Sequence, residues 1–175
     1  MSNRHALRPQ WTDNNDGLYH VTICVANKRH LFGEIRDCQM ILSPAGVIVN
    51  ECIKQIELHH PYAQVWNYVV MPSHVHLLLN IESDGYSKES TNTGCLRGPM
   101  HGEQVLHNHH NSKLAVTVGS FKSACSREIH RAFPEIKTVW QSRFYDEEIR
   151  NAPAYRNVME YIDSNIENWA SDPYE

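Results

Sequence analysis

Two histidines separated by one residue, His74-Val75-His76, carry the first chemistry in the chain, because their spacing fixes their direction. On a β-strand successive side chains alternate, so residues two apart share a face. Neutral imidazoles held together in this way form a ligand pair for a divalent cation. A sheet also uses such pairs to satisfy polar side chains against one another. With 12 histidines in 175 residues, a second His-x-His arises at His107-Asn108-His109, in a stretch whose composition reads as solvated. A further pair joins Tyr161 to Asn165, four residues apart and so one helical turn above each other. A tyrosine hydroxyl can serve as a covalent nucleophile and an amide oxygen as a ligand for a hard cation. Tyr145 and Tyr155 compete for the first role, and a helical tyrosine near Trp169 also suits core packing.

The elements that must hold these residues follow from periodicity. Tyr19–Ala26 alternates, with His20, Thr22 and Cys24 on one side and Tyr19, Val21, Ile23 and Val25 on the other, a strand pattern. Ser43 followed by Pro44 is a helix start, and the helical spacing of Val47, Ile48, Cys52, Ile53 and Ile56 runs on until Pro61. Val65–Met71 and His74–Ile81 read as a hairpin across Pro72-Ser73, with the second strand central. Residues 82–112 lose all periodicity and form a long insertion. Leu114–Ala132 reads as a helix ended by Pro134, residues 139–149 as a strand and then a turn, and residues 153–169 as a last helix. Residues 1–17 read as a loose arm. The resulting string of strands and helices predicts one α+β domain over residues 1–175. An antiparallel sheet with helices packed against it, as in a ferredoxin-like or RRM-like plait, is the simplest arrangement.

Composition sets the outer bounds. Hydrophobic residues make up 41% and charged residues 21%, close to the average globular domain. A chain of this length can bury a core without staples. The longest apolar run is only a few residues and the N-terminus has no apolar stretch, so neither a membrane span nor a secretory leader is expected. Five cysteines with no Cys-x-x-Cys pair read as reduced thiols of a cytoplasmic protein. The phosphate-loop, dinucleotide-binding and zincin patterns are all missing, so nucleotide-driven and zincin chemistry have no support. The net charge of −4 argues mildly against a nucleic-acid partner, yet residues 113–156 carry eight basic side chains against five acidic ones. That local excess permits a polyanion.

Taken in order, Tyr19-His20-Val21-Thr22, Val69-Val70-Met71-Pro72-Ser73-His74-Val75-His76-Leu77, Phe121-Lys122-Ser123, Trp140-Gln141-Ser142-Arg143-Phe144-Tyr145-Asp146 and Tyr161-Ile162 form a motif set. This set resembles the single-strand tyrosine transposases of bacterial insertion sequences, above all the REP-associated tyrosine transposases, over about residues 17 to 169. The resemblance implies that His74 and His76 are a metal pair, Asn165 a third ligand and Tyr161 the nucleophile, working with Mg²⁺ or Mn²⁺. It also implies single-stranded or hairpin DNA as partner, with Lys122, Arg127, Arg143, Tyr145 and Arg150 on the DNA side and Trp140, Phe144 and Tyr145 as stacking candidates. The implied reaction is an ATP-independent cleavage and strand transfer through a 5′-phosphotyrosine, serving transposition or domesticated repeat processing. A homodimer is compatible, since in the insertion-sequence enzymes the partner chain can donate the tyrosine. Two other readings stay open: a catalytically idle protein that grips structured DNA, and a small metal-binding α+β protein with another hydrolytic role.

Overall fold

The computed structural model describes residues 17–82 and 112–171. The expected arm (apart from Gly17), nearly all of the 82–112 insertion and the His107-Asn108-His109 motif lie outside the described residues. In chain order the elements are β1 (Gly17–Cys24), β2 (Gly33–Arg36), β3 (Gln39–Leu42), α1 (Pro44–Lys54), α2 (Ile56–His59), β4 (Ala63–Val70), β5 (His74–Ile81), α3 (Lys113–Ala132), β6 (Tyr145–Ile149) and α4 (Ala152–Ser164). Four strands form one antiparallel sheet in the order β4-β5-β1-β6, the strand order of a ferredoxin-like plait, while β2 and β3 pair separately.

The helix starts obey local chemistry. The Ser43 side chain accepts from the Gly46 N–H and Pro44 occupies the first turn of α1. Asn151 caps α4 by accepting from the Ala154 N–H, and Ser112 caps α3 through the Ala115 N–H. The helix read through to His60 is broken at Gln55 into α1 and α2.

One face of the sheet builds the main core. Tyr19, Val21 and Ile23 of β1 and Val75, Leu77, Leu79 and Ile81 of β5 pack with Val49 and Ile53 of α1 and with Leu114, Val118, Phe121, Cys125 and Ile129 of α3. The opposite face is covered by α4 through a smaller cluster of Leu78, Ile149 and Ile162, flanked by Leu18, Val69, Val158 and Met159. Because β5 is covered on both sides, Leu77, Leu78 and Leu79 are all fully buried, which explains an apolar run where alternation would otherwise be expected.

Three further local features differ from the sequence reading. The β2–β3 hairpin was not expected; it turns at Asp37 and Cys38, both with positive φ. Gly33 at its base has φ +145°, and a Cβ there would collide with the Ile41 carbonyl oxygen. In the 139–149 segment the order is reversed: Trp140 makes an isolated bridge with Val25, and the true strand, β6, comes afterwards. The last helix ends at Ser164 rather than running to Trp169, with Asn165 as its C-cap residue and a short 3-10 turn over Trp169–Ser171.

Candidate active site

Register places the histidines. In the β1–β5 pairing Cys24 lies opposite His74, Thr22 opposite His76 and His20 opposite Leu78. Directly paired residues of an antiparallel sheet project from the same face, so His20, Thr22, His74 and His76 share the face that α4 covers. The turn leading into β5 is anchored by the backbone: Met71 N–H donates to the His74 carbonyl (2.9 Å), Val25 N–H to Ser73 (2.8 Å) and Phe32 N–H to Pro72 (3.0 Å). The imidazoles therefore stand on the stiff centre of the fold, which favours a precisely held site.

His74 and His76 converge through their Nε2 atoms, 3.0 Å apart, and neither residue is exposed. A divalent ion with metal–nitrogen bonds of about 2.1 Å at right angles spans about 3.0 Å between neighbouring donor atoms. The pair thus already has the separation of two adjacent metal ligands. The Tyr161 hydroxyl lies 3.4 Å from His76 Nε2, with the two rings edge-on at 5.1 Å. One turn on, Asn165 is 2% exposed and its Oδ1 has no hydrogen-bond partner among the described residues. A buried acceptor left unpaired costs free energy, and the cost is recovered when a cation or donor reaches it. The donor types present, two imidazole nitrogens 3.0 Å apart and an orphaned amide oxygen one helical turn beyond Tyr161, are those a divalent metal takes. Among the described residues no group of three or more His, Cys, Asp and Glu side chains is arranged to hold a metal ion, so a third protein donor beside His74 and His76 would have to be of another type, such as the Asn165 amide.

Burial also sets the charge state. Desolvation lowers the His20 pKa to about 4, and desolvation with the Lys28 charge lowers that of His74 to about 3. Burial, then the neighbouring His74 and His20, holds His76 well below its usual range. All three imidazoles are neutral at pH 7, the form that binds metal. Trp169, just beyond α4, stacks on the His74 ring with centroids 6.0 Å apart.

The other expected site residues are spread around this centre. Lys122 is half-buried and donates to the carbonyls of Gln141 (2.7 Å) and Ser142 (3.2 Å), tying α3 to the loop before β6. Together with Arg127, His130 and Lys137 it lines a groove of about 470 Å³ free of acidic side chains. Arg143 and Arg127 are exposed, whereas the Arg150 guanidinium pairs with Glu148 at 2.7 Å. Tyr145 is 48% exposed and stands opposite Thr22, on the site face. Trp140 packs against Phe32 and Phe121 in the core, with only 7% exposure, and so offers no open stacking face. Tyr155 meets Trp66 edge-on at the other end of α4. Sequence reasoning assigned no role to His20 or Thr22, whose Nε2 and Oγ1 atoms lie 3.1 Å and 3.0 Å from His76 Nδ1. Their signal was the alternation of β1, which set them on one face but could not name the strand they would meet.

No protein-family model matches this chain. It is 30% identical over 173 residues to an uncharacterized protein of Haemophilus influenzae, covering 98% of this chain and 93% of that one. Among solved structures it is similar to a REP-associated tyrosine transposase bound to a REP hairpin, at 17% identity and a TM-score of 0.51. That match covers 89% of this chain and 69% of the other. At that identity the likeness is one of fold.

Proposed function

Because the chain belongs to one family with the Haemophilus influenzae protein and has the fold of a REP-associated tyrosine transposase, we propose that it is a divalent-metal-dependent DNA endonuclease and strand transferase. Its substrate is single-stranded DNA next to a hairpin or repeat, and Tyr161 is its nucleophile. The observation that carries this reading is the convergence of three groups: the Tyr161 hydroxyl lies 3.4 Å from His76 Nε2, itself 3.0 Å from His74 Nε2.

In this reading Mg²⁺ or Mn²⁺, when bound, supplies charge that polarises the scissile phosphate. His74 and His76 on β5 and Asn165 at the end of α4 would hold it. Tyr161 Oη attacks phosphorus; the Oη–P bond forms, the P–O3′ bond breaks, and the proton lost by tyrosine is balanced by the one gained at the 3′-hydroxyl. A second 3′-hydroxyl reverses the exchange and joins new strands, so bond energy is conserved and no ATP is consumed. Tyr145 and the Arg127 and Arg143 side chains supply contacts to base and backbone.

The test is a labelled pool of single-stranded hairpin oligonucleotides incubated with Mn²⁺ and resolved on a denaturing gel. Wild type is expected to give a protein–DNA adduct that disappears with EDTA and in Tyr161→Phe. An adduct that persists in Tyr161→Phe moves the nucleophile elsewhere. A retarded native band with no adduct from any variant identifies a binding protein and overturns the catalytic reading.

A further inference from the structure

An imidazole that holds a metal through one nitrogen must keep its proton on the other, so whatever faces the far nitrogen selects the tautomer. For His76 the near side is Nε2, which faces His74 Nε2 and the Tyr161 hydroxyl. The far side is Nδ1, which points back toward β1. Two atoms wait there: His20 Nε2 at 3.1 Å and Thr22 Oγ1 at 3.0 Å. A hydroxyl rotates and serves either tautomer, donating or accepting as required. His20 Nε2 accepts from His76 Nδ1–H when the His20 proton is on Nδ1, and only that arrangement frees the His76 Nε2 lone pair. His20 also braces the nucleophile, its ring 5.1 Å from that of His76 and 5.8 Å edge-on from that of Tyr161.

We propose that His20 is a positioning residue: its Nε2 accepts the His76 Nδ1–H, which leaves the His76 Nε2 lone pair facing His74 and Tyr161. His20 is not itself a ligand, because the nitrogen it presents lies on the side of His76 away from His74. The inference rests on the metal-dependent reading for its purpose, but not for its test.

The test reads the tautomer directly in the metal-free full chain carrying ¹⁵N-histidine, by correlating ring nitrogens with ring C–H protons. The His76 signals are identified by their loss in His76→Gln. Wild type is expected to show His76 protonated at Nδ1. His20→Gln, whose side-chain oxygen can stand where Nε2 does, keeps that tautomer, and so does Thr22→Val. His20→Leu shifts His76 toward the Nε2–H form and weakens Mn²⁺ binding by about 10- to 100-fold in a direct titration, while thermal melts report whether it is folded. His76 protonated at Nε2 in wild type overturns the proposal even if His20→Leu does not fold. A tautomer unchanged in folded His20→Leu, or one lost in Thr22→Val instead, overturns it too. An Nδ1–H form present in wild type and lost in folded His20→Leu, with no Mn²⁺ binding by wild type, upholds the role of His20 and removes the metal-dependent function.

Discussion

Asn165 is the side chain at which the proposed metal role can be told apart from a purely structural one. Its Oδ1 is buried without a partner among the described residues, a condition that costs about 1–3 kcal/mol. Asn165→Ala is therefore expected to melt no lower than wild type without metal, while losing most of the Mn²⁺-induced rise in melting temperature. Thermal melts with and without Mn²⁺ check both halves; an Ala variant that melts well below wild type and still gains from Mn²⁺ would make the amide structural. The basic side chains divide in a similar way. Lys122 and Arg150 are already engaged, by carbonyls and by Glu148. The exposed guanidinium groups of Arg127 and Arg143 make no hydrogen bond or ion pair among the described residues. Each of Arg127→Ala and Arg143→Ala is expected to lower the slope of log affinity against log salt on single-stranded DNA by about 0.7. Arg150→Ala should leave it unchanged, and binding titrations at several salt concentrations decide.

At the scale of elements, the proposed nucleophile, Tyr161, depends on how α4 is held. Ile162, one residue beyond Tyr161, is 2% exposed against Leu78 and Ile149. Ile162→Ala is expected to cost about 2–5 kcal/mol and to slow adduct formation more than DNA binding. Denaturant unfolding and single-turnover cleavage measure the two effects. The elements differ in how legible they were. β5 and α1 announced themselves, the one by an apolar run after Met71-Pro72, the other by Ser43-Pro44, because burial and capping are local matters. The β2–β3 hairpin hid because its turn is Asp37-Cys38 rather than an Asn-Gly pair, although both residues adopt the positive φ such turns require. β6 was displaced by Trp140, whose aromatic character looked like strand but serves the core. At the site, His74, His76, Tyr161 and Asn165 were named from spacing and resemblance. His20 was not, since its contact with His76 spans 56 residues and only the β1–β5 register creates it.

For the molecule as a whole, three neutral histidines, His74 and His76 buried and His20 partly so, tie stability to pH. An unfolded imidazole takes its proton near 6.5, whereas His20 in the fold waits until about 4 and His74 until about 3. Between those values the unfolded chain binds more protons, so stability rises with pH. The penalty is absent above about 6.5, grows as pH falls toward 4 and 3, and levels off below. Unfolding free energies measured across this range are expected to fall steadily in wild type and less steeply in His20→Gln. The two faces of the sheet carry cores of unequal size: one extensive, under α1 and α3, and one built on Leu78, Ile149 and Ile162 under α4. Cooperative units with little buried apolar surface open at lower free energy than the whole fold. Amide hydrogen exchange should therefore show α4 releasing its protons through a partial opening that leaves α3 protected. The helix that carries Tyr161 would then be a separate unit, able to lift from a sheet that stays folded beneath it.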